Sequence, residues 1–123
     1  MKKLFIVNAP EDYKKAEELT KHLTLFKRQG LVEFTTTFND SDIVLLFLSN
    51  NFLADERTWN LSLEARRQQQ AGRITAVPIL VEDIAELPDH LILLQRLPKH
   101  GKPAKSDEDW AGISKDLAML IRK

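Results

Sequence analysis

The chain contains no cysteine. That excludes disulfides, thiol nucleophiles and every cysteine-based metal site, and it fits a reducing, cytoplasmic setting. Net charge is also missing. Eighteen basic and eighteen acidic side chains cancel, and they are mixed along the chain with no long block of one sign. No net field draws the chain toward nucleic acid or an anionic membrane. Apolar runs are short: the longest, Ile43 to Leu48, falls far below the roughly 20 residues that cross a bilayer. The opening Met-Lys-Lys-Leu-Phe-Ile-Val has the charge of a secretory leader, but its apolar stretch stops at Asn8, too soon for one. Glycine is scarce, with four in all, and neither a G-x-G-x-x-G nor a Walker A phosphate loop is present. His22, His90 and His100 are scattered without paired spacing, so no metal site is expected. There is no internal repeat, and no low-complexity tract beyond Gln68–Gln70. What remains is one domain over residues 1–123, standing alone or cut from a longer protein.

What is present centres on Asp42 to Asp55. Ile43 to Leu48 does not alternate, as a half-buried strand would. It reads as a central parallel strand covered on both faces. Ser49, Asn50 and Asn51 follow at once and are good helix N-caps. A buried strand that feeds a capped helix puts its carboxyl end at a strand–helix crevice, where ligands bind in open α/β sheets.

The flanking segments support that layout. Leu4 to Val7 reads as a first strand. Pro10 suits the first turn of a helix, and Glu11 and Asp12 favour the positive end of its dipole. Asn8 reads as the cap of that helix. Tyr13, Ala16, Leu19, Leu23 and Phe26 form one apolar stripe, and Gly30 ends it. Leu31 to Phe34 is a short second strand. The linker from Thr35 to Ser41 is too short for a helical crossover between parallel neighbours, so either the two strands are not neighbours or a helix is missing. Phe52 to Ala71 reads as one helix, with Phe52, Leu53, Trp59, Leu61, Leu63 and Ala65 apolar and Gly72 closing it. Ile74 to Val81 is a fourth strand in which Pro78 marks an edge or bulge. Leu87 to Pro103 reads as loop, and Asp107 to Arg122 as a last helix with Trp110, Ile113, Leu117, Leu120 and Ile121 inward. The sum is an α/β fold: a small parallel sheet with helices on both faces.

At these residues the chain resembles a bacterial Toll/interleukin-1 receptor (TIR) domain. Asp42 to Ala54 is similar to the family's "ADIILLLVSPDFLAS" segment. Ala76-Val77-Pro78-Ile79-Leu80 resembles its "RVIPIIL" strand. Leu94 to Pro103, Leu-Gln-Arg-Leu-Pro-Lys-His-Gly-Lys-Pro, resembles its "LQALPKDGKPV" segment. The resemblance runs in order along nearly the whole chain and implies a flavodoxin-like fold. Two departures accompany it. Where the family carries a long loop and a helix, this chain has only Thr35 to Ser41. Enzymatic members cleave NAD with one glutamate on the helix after the third strand, and the ungapped alignment puts Ser62 there. Serine cannot supply the charge that would stabilise an oxocarbenium-like transition state. Glu64 lies two residues on, and two residues turn a helix by about 200°.

The resemblance therefore implies an interaction module in a bacterial signalling or defence (immunity) system. It would act as an adaptor that docks other TIR-like domains, a fused or neighbouring protein, or copies of itself. Its surface would draw on Phe38, Asn39, Asp40, Trp59, Arg66, Leu94 and Lys99. No cofactor and no metal is expected. The alternative is an NAD glycohydrolase that takes NAD as substrate, with Glu64 catalytic and Asn8, Ser49, Asn50 and Trp59 around the nucleotide. For Trp59 a core or interface role competes with stacking on adenine. Receiver-type phosphotransfer fails, because it needs an aspartate where this chain has Leu48-Ser49.

Overall fold

The computed structural model describes residues 1–92 and 94–123. Four strands, β1 (Lys2–Val7), β2 (Val32–Phe34), β3 (Ile43–Leu48) and β4 (Thr75–Leu80), form one parallel sheet in the order β2-β1-β3-β4. Helices α1 (Tyr13–His22), α2 (Thr24–Arg28) and α6 (Asp107–Ile121) cover one face; α3 (Asn50–Ala54), α4 (Glu56–Gln70) and α5 (Asp89–Ile92) cover the other. The fold is α/β and flavodoxin-like: the chain winds one way from β1 to β2 and the other way from β3 to β4. Among the described residues, no helix is long and apolar enough to cross a membrane.

β3 is buried at every residue, as its unbroken apolar run predicts. Alternate side chains serve different layers. Leu45 and Phe47 join Leu19, Leu23, Trp110 and Leu117 on one side, while Leu46 and Leu48 join Phe52, Ala65 and Leu91 on the other. Phe47 and Trp110 stack with centroids 6.0 Å apart. Burying each such side chain contributes about 2 kcal/mol, so β3 anchors both layers at once.

The short linker from β2 to β3 is explained by register. The two strands are not neighbours, because β1 lies between them. β2 pairs with the first half of β1, ending with Phe34 beside Leu4, and β3 pairs with the second half, starting with Ile43 beside Leu4. The linker therefore starts and stops at one height on the sheet. It crosses two strand spacings, about 10 Å, without travelling back along a strand. A 3-10 turn at Phe38–Asp40 makes the crossing. Phe38 packs edge-on to Phe5, with centroids 6.3 Å apart, against the core layer on that face.

Several expected boundaries shift. The first helix is interrupted at Leu23, giving α1 and α2. Tyr13 is 63 % exposed and does not join the stripe; it begins α1 just after a 3-10 turn at Pro10–Asp12. Asn8 caps nothing: Ala9 holds the N-cap position, and the Asn8 amide donates to the Ala9 carbonyl. The single helix expected over Phe52 to Ala71 is two, because Asp55 is extended and its side chain accepts the Thr58 N–H at 3.1 Å, capping α4. Leu63 faces solvent. The buried positions of α4 are Thr58, Ser62 and Ala65, small residues that let the helix lie close to the sheet. Leu87 to Pro103 holds a helix, α5, and a bridge between Leu97 and Ile79. Gly30 and Gly72 end their helices at φ 72° and 75°, where a side chain would be strained. Pro78 sits on the edge strand, as its missing N–H predicts.

Candidate functional site

The first place to look is the carboxyl edge between β1 and β3, where the winding reverses. Ser49 caps α3 there: its Oγ accepts the Phe52 N–H at 3.0 Å and donates to Asp12 Oδ2 at 2.5 Å. Ser49 is wholly buried and Asp12 is 4 % exposed. Lys15 Nζ lies 3.8 Å from Asp12 Oδ1 and donates to the Val81 carbonyl at 3.3 Å. The turn after β1, the cap after β3 and the end of β4 are thus tied together by their own polar groups.

Asn50 is equally occupied. Its N–H donates to Glu82 Oε1 at 2.8 Å, and its amide donates to the same oxygen and to the Asp83 carbonyl. The Asn50 backbone N–H, then its amide, hold the Glu82 carboxyl below its ordinary range. Groups that would greet an anion at a helix start are already met by a carboxylate of the chain. Among the described residues, no buried side-chain polar atom lacks a partner. Beside these bonds lies a cleft of about 460 Å³ bordered by Lys15, Val81 and Glu82.

The residues weighed for catalysis lie apart from that edge. Ser62 is buried on α4, where its Oγ donates to the Trp59 carbonyl at 2.6 Å and meets His90 Nε2 at 2.8 Å. With its proton on Trp59, Ser62 accepts from the ring, so His90 serves as donor rather than base. Burial, then the nearby Arg66 charge, lowers the His90 pKa. Trp59 stands edge-on to His90 with centroids 5.0 Å apart. Glu64 is held by neighbours on its own helix: Arg67 Nη2 donates at 2.6 Å and Gln68 Nε2 at 2.8 Å. Those bonds, Arg67 first, lower its pKa. Glu64 makes no hydrogen bond to Ser49, Asn50 or Asn8.

A second region lies at the β4 edge of the sheet. Between α4 and α6, along the outer edge of β4, runs a groove of about 600 Å³. Its walls are Arg66 and Gln69 from α4, Leu94, Gln95, Leu97 and Lys99 after α5, and Met119 and Leu120 from α6, over a floor that includes Val77. Met119 is 70 % exposed. Lys99 pairs with Asp116 at 3.3 Å. Of the expected surface residues, Arg66 and Lys99 line this groove; Leu94 borders it but is buried, 7 % exposed, in the core layer beneath α4. Phe38, Asn39 and Asp40 lie elsewhere, with Phe38 half-buried over β1 and the Asn39 carbonyl facing Arg73. Trp59 is half-buried against His90. Sequence reasoning missed Met119 and Gln69. The signal for Met119 was there: it falls off the Ile113, Leu117, Ile121 stripe and leaves an apolar side chain facing outward.

No protein-family model matches the chain. A curated relative, "Uncharacterized protein y4lF" of Sinorhizobium fredii (strain NBRC 101917 / NGR234), is 23% identical over an alignment of 124 positions that takes in 87% of this chain. The match spans only 38% of that relative's length.

Proposed function

We propose that this chain is a TIR-like protein-interaction module that docks a partner through the groove at the β4 edge and performs no chemistry of its own. One contrast carries the reading. At the edge where an α/β enzyme of this winding would hold its substrate, Ser49 is paired with Asp12 and Asn50 with Glu82, whereas the β4 edge offers a larger apolar groove with a charged rim. Ser62 at the position of the family glutamate, buried under His90, supports the same conclusion. So does Glu64, whose carboxylate is tied to Arg67 and Gln68. The setting suggested by the TIR resemblance is bacterial signalling or defence, with the partner a like domain or a fused or neighbouring protein. NAD would be neither substrate nor cofactor.

The binding energy would come from few residues. Apolar anchors in such a groove dominate while rim contacts remain nearly neutral. A two-hybrid screen against fragments of the source genome tests this. Met119→Glu should lose the recovered partners, with affinity falling about tenfold or more, and Glu64→Ala should keep them. The enzymatic arm measures nicotinamide released from NAD at high protein concentration. Release that Glu64→Ala abolishes would overturn the docking reading.

A further inference from the structure

We propose that the groove receives an extended, acidic segment of a partner protein, laid along the open half of β4 as an added strand. This rests on the docking reading and names the occupant.

β4 is the last strand of the sheet. In a parallel ladder, alternate residues turn both backbone groups the same way. Pro78 and Leu80 turn theirs outward: the Leu97 N–H donates to the Pro78 carbonyl at 2.9 Å, and the Leu80 N–H donates to the Leu97 carbonyl at 2.8 Å. This one-residue bridge covers the upper half of the edge. Ala76 is the next outward-facing residue, and the bridge does not reach it. Among the described residues, no backbone N–H meets the Ala76 carbonyl. The Ala76 N–H is met by a side chain instead: Gln69 Oε1, from α4, accepts it at 2.5 Å. The glutamine amide stands where the carbonyl of a further strand would stand. An incoming strand can replace it with a backbone carbonyl and give the Ala76 carbonyl a donor.

The groove around this half-edge suits such a segment. Side chains of an added strand would alternate between the α6 side, toward Met119 and Leu120, and the α4 side, beside Arg66 and Gln69, the arrangement in which backbone bonds give affinity and pockets give selectivity. Methionine adapts to varied partners. The charge is one-sided: Arg66, Lys99 and Lys123 line the groove against Asp116 alone, and Asp116 is paired with Lys99. Acidic residues between the inserted apolar ones would meet that rim.

The test uses fluorescence anisotropy of a labelled peptide of alternating valine and glutamate, its valine–lysine counterpart, and a backbone N-methylated form. The acidic peptide should bind saturably, about tenfold or more tighter than the lysine peptide. The N-methylated form should fail. Arg66→Glu with Lys123→Glu should reverse the charge preference, which a misfolded variant cannot do. Gln69→Ala should tighten binding by uncovering the Ala76 N–H. Equal binding of the two peptides, or binding that survives N-methylation, overturns the proposal. So does self-association through Met119, seen by sedimentation, that the peptide fails to disrupt, since a second copy then fills the groove. If the peptides fail while Met119→Glu still loses its genomic partners, the occupant is wrong and docking stands.

Discussion

At the scale of single residues, Ser49 does the work expected of it and one job more. Its place after an apolar strand marks it as a helix cap, and it caps α3. What no local rule could supply is its donation to Asp12. Asp12 is 37 residues away in sequence and reads locally as an acid favouring a helix start. The two meet because β1 and β3 are neighbours. Removing the hydroxyl takes away a cap, worth about 1 kcal/mol, and leaves a buried carboxylate without its donor, worth about 1–3 kcal/mol more. We expect Ser49→Ala to lower stability to urea by about 2–4 kcal/mol. Adding Asp12→Asn should then cost less than it does in the unaltered chain. Strictly additive losses in that double-mutant cycle would show that the pair is not coupled.

At the scale of elements, α5 shows what periodicity leaves out. Four residues, Asp89–Ile92, are too few to reveal a 3.6-residue repeat, and the prolines around them read as loop. α5 is fixed by tertiary contacts: Leu91 in the core, and His90 on Ser62 and Trp59. His90 carries a pH dependence of definite sign. Its folded pKa lies below the ordinary 6.5, first through burial and then through Arg66, with Asp89 opposing. The unfolded chain therefore takes up the proton first as pH falls. The stability gained by keeping this buried ring neutral is complete above about 6.5 and is lost as pH drops through the lowered folded value. Melting temperature should fall over that range, and His90→Gln should flatten the slope between pH 7 and the onset of carboxylate protonation. An unchanged slope in that variant would remove His90 as the cause. The long elements were easier to read. β3 and α6 announce themselves by an unbroken apolar run and by the Trp110, Ile113, Leu117 stripe. The break at Asp55 was also latent in the sequence, since Asp is a cap residue placed three before Thr58.

At the scale of the whole molecule, the sheet order decides both the crossing from β2 to β3 and which polar groups meet at the switch point. With Ser49 paired to Asp12 and Asn50 to Glu82 at that edge, the docking reading expects no NAD bound there. Ligand binding to the native state raises the melting temperature by mass action, so NAD at millimolar levels should leave it unmoved. A rise that Asn50→Ala abolishes would mean that the edge opens. Taken alone, the sequence determined the class of fold, because burial on both faces of Ile43–Leu48, capped helix starts and glycine stops are local signals of backbone geometry and hydrophobicity. It also determined which side chains could cap and which could not carry charge, Ser62 among them. Only the tertiary structure decided that β1 separates β2 from β3, that Asp12 fills the cap of the third strand's helix, and that Arg66, Leu94, Lys99 and Met119 border one groove. These depend on register and strand order. Both are set by the simultaneous packing of distant residues on the two faces of one sheet, a non-local sum that no window of sequence contains.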